Sequence, residues 1–220
     1  MAKHFIGVDL SGTGACTVTE GFRIVDVLKY PEPIFDVARV KEIDKEIKEK
    51  KDLPRTITLI TKLKAERKAI KRKATRDYKR IYDFLYKYKD KVDVVVIEEP
   101  LRQVSFGSTS SDTLCTSHIT LGVYTAILSV LEMKYVLYMP TDWHQQFEFK
   151  FKGKLTQKER REQIKIQSIQ FAKEMFSNMD EFLIRKGCKK EDDNIAESAI
   201  LSLVHYYKEN NIIYRSEVWN

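Results

Sequence analysis

Residues 92–98, Val-Asp-Val-Val-Val-Ile-Glu, are almost entirely β-branched and show no polar alternation apart from Asp93. A strand of this kind has no face to offer water, so it predicts a sheet covered on both sides, an α/β arrangement. The run also ends on an acid, Glu98. Two other apolar stretches meet acids in the same manner. Phe5-Ile6-Gly7-Val8 runs into Asp9, and Asp193 with Glu197 opens an apolar helix. A carboxylate at the end of a buried strand costs several kcal/mol to desolvate unless a partner or a cation compensates. Three such positions, far apart in sequence, most simply share one cation site.

Ahead of this run the pattern predicts short strands at residues 4–10, 15–20 and 22–28, joined by Gly-containing turns at 11–14 and at Gly21. That spacing suits an antiparallel meander. Residues 36–53 are charged and helical in part. Residues 55–90 predict one long helix, because Ile57, Ile60, Leu63, Ile70, Ala74, Ile81, Phe84, Leu85 and Tyr88 recur at helical intervals. A Gly/Ser/Thr loop at 105–111 precedes a helix to about 131 and a strand at 135–138. Thr156 and Glu159 have capping-box spacing and open a helix to about 176. Asp192 or Asp193 caps the last helix, to about 208. Gly122 is expected to allow close helix packing, and Trp143 to lie in the core. With no repeats or low-complexity linkers, the expectation is a single domain over residues 1–220. Residues 36–91 form an extended basic helical region within it.

The chain carries a net charge of +7, but residues 55–91 alone hold 14 Lys/Arg against 4 Asp/Glu. The excess is one segment, interleaved with tyrosines, which favours contact with a polyanion over mere solubility. Lys64, Arg67, Lys68, Lys71 and Arg72 are the phosphate-contacting residues expected there, with Lys158 and Lys165 on the later helix. Cys16, Cys115 and Cys188 are odd in number and widely spaced, which fits reduced thiols in a cytosolic-type protein better than disulfides or zinc. The four histidines show no ligand spacing. Residues 113–131 lack formal charge but hold too many polar groups to span a membrane, and no signal peptide opens the chain. No P-loop is present. Gly7 to Thr13 looks like one phosphate loop of actin-like ATPases, but the second loop that such proteins need is missing, so no nucleotide cofactor is expected.

Several of these strings resemble one family. Phe5-Ile6-Gly7-Val8-Asp9-Leu10-Ser11-Gly12-Thr13-Gly14 and Val95-Val96-Ile97-Glu98-Glu99-Pro100 are similar to the first two motifs of RuvC-type Holliday junction resolvases. Met139-Pro140-Thr141-Asp142-Trp143, the helix over 165–176 and Asp192-Asp193-Asn194-Ile195-Ala196-Glu197-Ser198-Ala199 resemble later segments of phage members. Leu10-Ser11 stands where Pro-Gly is usual, and the last motif spaces its acids i, i+4 where bacterial members use i, i+3. The resemblance implies an RNase H-like fold, a five-stranded mixed sheet flanked by helices, with a long basic helical segment between strands 3 and 4. It implies a structure-selective DNA endonuclease that resolves four-way junctions as a homodimer in the cytoplasm (the host's, for a phage member). Asp9, Glu98, Asp193 and Glu197 would then hold two Mg²⁺ ions, with Mn²⁺ able to substitute, and Lys165 would act at the scissile phosphate. Which of Asp192, Asp193 and Asn194 faces the metals is open, with Asp193 preferred. Alternatives on the same fold are an RNase H-type or flap nuclease, or a catalytically silent nucleic-acid-binding protein.

Overall fold

The structure is a computed structural model and describes residues 4–11, 14–30, 36–51, 53, 56–72, 77–100, 111–147, 149, 155–184 and 190–212. The strands are β1 (His4–Val8), β2 (Ala15–Glu20), β3 (Arg23–Lys29), β4 (Val92–Glu98) and β5 (Tyr135–Tyr138). The helices are α1 (Val37–Lys50), α2 (Ile57–Arg72), α3 (Lys79–Tyr88), α4 (Ser111–Val130), α5 (Pro140–Gln146), α6 (Gln157–Met175), α7 (Asp180–Leu183) and α8 (Asp193–Glu209). The sheet runs β3-β2-β1-β4-β5. The first three strands pair antiparallel, while β4 joins β1, and β5 joins β4, in parallel. This mixed sheet with helices on its faces is the expected RNase H-like fold.

Two compact units make up the chain, Met1–Tyr30 with Ile81–Asn220, and Pro31–Arg80. In the larger one, β4 is buried on both faces as its composition demands. Val94 and Val96 join Phe5, Ala15 and Ile24 under α6 and α8, in a core with Phe147, Phe171, Phe176 and Leu201. Val95 and Ile97 point to the opposite face with Ile6, Val8, Cys16 and Val18, all fully buried. There Tyr124 of α4 stands with its ring 5.8 Å from that of Tyr30.

The smaller unit is a helical hairpin of α1 and α2. Asp36 caps α1 by accepting from Arg39 N–H (2.8 Å), and Thr56 Oγ1 reaches the Lys50 and Leu53 carbonyls (2.8 Å each) across the link. Arg39 bonds Glu66 (2.8 Å) and Arg67 pairs with Asp44 (2.8 Å), so acids of one helix hold bases of the other.

The single helix expected over 55–90 is instead two, α2 and α3. Asp77 and Tyr78 lie outside both helices, and Asp77, a residue type that favours helix starts, accepts at its carbonyl from Arg80 N–H (3.2 Å) where α3 begins. Residues 73–76 lie outside the described residues. Gly122 also departs from expectation: a Cβ placed there meets nothing within 4 Å, so it faces open space. Cys16 is buried and Cys115 exposed, both as free thiols. Cys188 and most of the 105–111 loop lie outside the described residues. No described helix is long and apolar enough to cross a membrane.

Candidate active site

Helix α8 lies directly on the sheet because the facing residues are small. A Cβ on Gly7 would stand 1.8 Å from the Ser198 carbonyl oxygen and 2.6 Å from the Ser202 nitrogen, so only glycine fits between β1 and α8. Beside it, two hydroxyl pairs close the seam. Thr19 Oγ1 donates to Ser202 Oγ (2.8 Å), which donates on to the Ala199 carbonyl (2.6 Å). Ser198 Oγ donates to the Ile195 carbonyl (3.0 Å) and therefore accepts from Thr17 Oγ1 at 2.6 Å. This contact sets the first two turns of α8 beside the ends of β1 and β4. Asp9 and Glu98 follow the paired residues Val8 and Ile97 on those neighbouring parallel strands. Strand alternation turns both towards α8.

Asp9 is nearly fully buried. Its carboxylate accepts from Ser11 N–H (2.8 Å), and Ser11 Oγ lies 3.1 Å from it and 3.0 Å from Asn194 Oδ1. Glu98 Oε1 accepts from Trp143 Nε1 (3.2 Å). Glu197 accepts from Ser168 Oγ of α6 (3.4 Å), and Asp193 pairs with Lys165 Nζ (3.0 Å). The neighbouring Asp192 has a different task. It caps α8, accepts from Asn194 and forms an ion pair with Lys29 at the end of β3. Of the three residues at this helix start, Asp193 and Asn194 line the cavity, and Asp192 does not.

That cavity, of about 420 Å³, is lined by Ser11, Glu98, Glu99, Asp193, Asn194 and Glu197 on its acidic side and by Arg161 and Lys165 of α6 on the other. Asp9 is buried beside Leu10 and Ser11, which line the cavity. Lys158 does not line it, but stands at i−3 from Arg161 and i−7 from Lys165, on the same helix face. Lys64 and Lys68 are exposed on α2, and Arg67 is tied to Asp44 there. The side chains of Lys71 and Arg72 are outside the described residues.

Crowding of the acids shows in their proton affinities. Burial pushes the Asp9 carboxyl up to about 6, against the hydrogen bonds from Ser11 that pull it down. Burial, then the charge of Asp9, raises Glu98 to about 8. Glu197 is raised well above the ordinary carboxylate range by burial and by the charges of Asp9, Glu98 and Asp193. Lys165 is raised by its bond to Asp193.

No family model matches this chain, and no curated protein matches it. Solved structures do match, two of them along nearly the whole length of both chains. The chain is similar to Thermus thermophilus RuvC. The complex of that protein with its Holliday junction substrate has 11% identity and a TM-score of 0.48, over 96% of this chain and 97% of that one. A second structure of the same protein has 12% identity and a TM-score of 0.48, over 95% and 97%.

The donor set suits a hard divalent cation, being carboxylate oxygens with no thiolate or imidazole. Among the described residues no three of His, Cys, Asp or Glu already converge as a ligand group. Each acid is held by a protein donor. Sequence reasoning missed three of those donors, Ser11 on Asp9, Trp143 on Glu98 and Ser168 on Glu197, and also the Lys29–Asp192 pair and the place of Arg161 in the cavity wall. Arg161 left a local signal, its i+4 spacing to Lys165.

The raised carboxyls give a signed prediction. A carboxyl that holds its proton more tightly in the folded state costs nothing below its unfolded pKa and destabilises once it must ionise. For Glu98 that loss runs from 4.5 to about 8, and for Asp9 from 3.8 to about 6. The melting temperature in EDTA should therefore fall by a few degrees from about pH 6.5 to pH 8, above the interval in which the buried His144, held down to about 4, adds stability with rising pH, and Glu98→Gln should flatten the slope. A wild-type melting temperature that rises over this range would contradict the buried, crowded site.

Proposed function

We propose that this chain is a metal-dependent endonuclease that cuts four-way DNA junctions. The observation that carries the reading is that Glu98 of β4 and Asp193 and Glu197 of α8 line one cavity together with Arg161 and Lys165, with Asp9 buried at the end of the strand beside β4. Four motif strings in the order of the RuvC-type resolvases support it further. Asp9, Glu98, Asp193 and Glu197 would hold two Mg²⁺ ions, or Mn²⁺ in their place. Bound there, such cations would supply Lewis acidity towards the phosphate and a nucleophilic water.

The chain's own groups do the rest. Asp9 lies deepest and nearest the strand ends, the position suited to a shared ligand. Lys165 and Arg161 present positive charge where a phosphate oxygen would enter, so they orient the backbone and offset its charge. Lys158 extends that stripe one turn further. Lys64 and Lys68, on a helix of strong positive charge, add sequence-independent phosphate contacts. Two symmetric nicks need two sites, so the reading includes a homodimer. Helix α4 is its surface, since Cys115, Ile119, Gly122 and Ala126 form an exposed, uncharged face at helical spacing.

The test is cleavage of a labelled four-way junction, a splayed flap, a linear duplex and an RNA–DNA hybrid in Mg²⁺, run beside sedimentation of the free chain. Paired symmetric nicks in the junction alone, from a dimeric species, are expected. Cutting of the flap or the hybrid instead would keep the site and move the substrate. Tight junction binding without cutting in Mg²⁺ or Mn²⁺ would overturn the enzyme reading.

A further inference from the structure

Trp143 has 1% exposure and its ring is packed on two sides, by His144 (centroids 4.0 Å) and by Phe149 (5.4 Å, 80°). Its placement is fixed by the short helix that carries it. Pro140 opens α5, Phe147 at its end packs on Phe171 (4.7 Å) and Tyr207 (5.5 Å), and Gln146 Nε2 donates to the Ile212 carbonyl (2.6 Å). A core tryptophan still needs an acceptor for its N–H. Here that acceptor is Glu98 Oε1, at 3.2 Å.

We propose that Trp143 is a positioning residue for Glu98, an uncharged donor that fixes the carboxylate while leaving its negative charge for a divalent cation. The indole N–H donates only and cannot change protonation state near neutrality. It therefore always demands a lone pair from Glu98 and never neutralises it. Lys165 differs, because its ammonium satisfies Asp193 in geometry and in charge together. A cationic partner on Glu98 would compete with a metal, whereas an indole orients the ligand without competing. Partners of this kind typically change metal affinity by about 10–100-fold when removed. The inference rests on the cation-dependent reading above.

The experiment is calorimetric titration of Mn²⁺ alone into the full chain in the absence of DNA. Two replacements remove the N–H: Trp143→Phe, and a chain whose Trp143 indole is replaced by benzothiophene, which keeps the two-ring shape. Melting in EDTA accompanies each titration. We expect Mn²⁺ binding to weaken by about 10-fold or more in both, with the benzothiophene chain melting within a few degrees of wild type. Glu98→Gln should weaken binding too, and adding Trp143→Phe to it should cost nothing further, because the two act through one contact. Unchanged Mn²⁺ affinity in a folded benzothiophene chain would overturn the inference and leave Trp143 as core alone. A wild-type chain that binds no Mn²⁺ would overturn the cation-dependent reading itself, a different and separately visible result. If Trp143→Phe does not fold, the benzothiophene chain decides.

Discussion

Asp9→Asn should abolish cleavage, by ~10³-fold or more, while leaving the metal-free fold as stable as wild type or more so. The two halves of this expectation have one cause. Asp9 is buried and holds its proton up to about pH 6, so above that pH the native chain bears the cost of a buried charge. Asparagine keeps an oxygen for the Ser11 N–H and removes the charge. It also removes the anionic oxygen that the proposed cation site would need. Junction cleavage in Mg²⁺ and melting in EDTA at about pH 8 measure both halves. A variant that cuts at the wild-type rate would take Asp9 out of the machinery. One that cuts nothing because it no longer melts cooperatively would show a structural role.

Gly7→Ala has the largest expected effect on the fold itself. The added Cβ would meet two backbone atoms of α8, at 1.8 and 2.6 Å, and backbone atoms of a packed helix cannot swing aside as a side chain can. The helix must move off the sheet, breaking the Thr17–Ser198 and Thr19–Ser202 bonds in the process. We expect a loss of ~3 kcal/mol or more, a large share of the ~5–15 kcal/mol typical of a whole domain. Urea unfolding followed by circular dichroism measures it. Gly21→Asn is the contrast: its φ of +56° favours glycine, but a Cβ there meets nothing within 4 Å. Asparagine tolerates that conformation, so a cost below ~1 kcal/mol is expected. Equal costs at the two glycines would mean that the close approach at Gly7 is not what holds α8.

Much of the architecture was legible because its signals are local. The β-branched run of β4 announced a doubly covered sheet, and the Thr156/Glu159 capping box announced the start of α6, where both of its reciprocal bonds form. Asp192 and Asp193 could not be separated by spacing. The structure separates them because Lys29, more than 160 residues earlier, draws Asp192 away from the cavity. Trp143 read as core, and by burial it is, but the direction of one N–H decides what it touches. Such a direction leaves no trace in periodicity. The break between α2 and α3 was misread for a related reason. The apolar stripe resumes in phase at Ile81, and Asp77, which stands outside both helices, is the local mark of the interruption. Small residues were the hardest to read. Gly7, Ser198 and Ser202 look unremarkable in the sequence, yet their smallness sets how closely the acid-bearing elements approach.

The seam between β2 and α8 also has a consequence in time. Its hydroxyl pairs join residues 181 and 183 positions apart, so the first hairpin to leave the ribosome waits for nearly the last helix. Until residue 193 has emerged, two of the four acids do not exist, and the cavity lacks the residues that α8 contributes to its lining. A chain released early, or one still being made, therefore lacks part of the acid set on which the proposed chemistry rests.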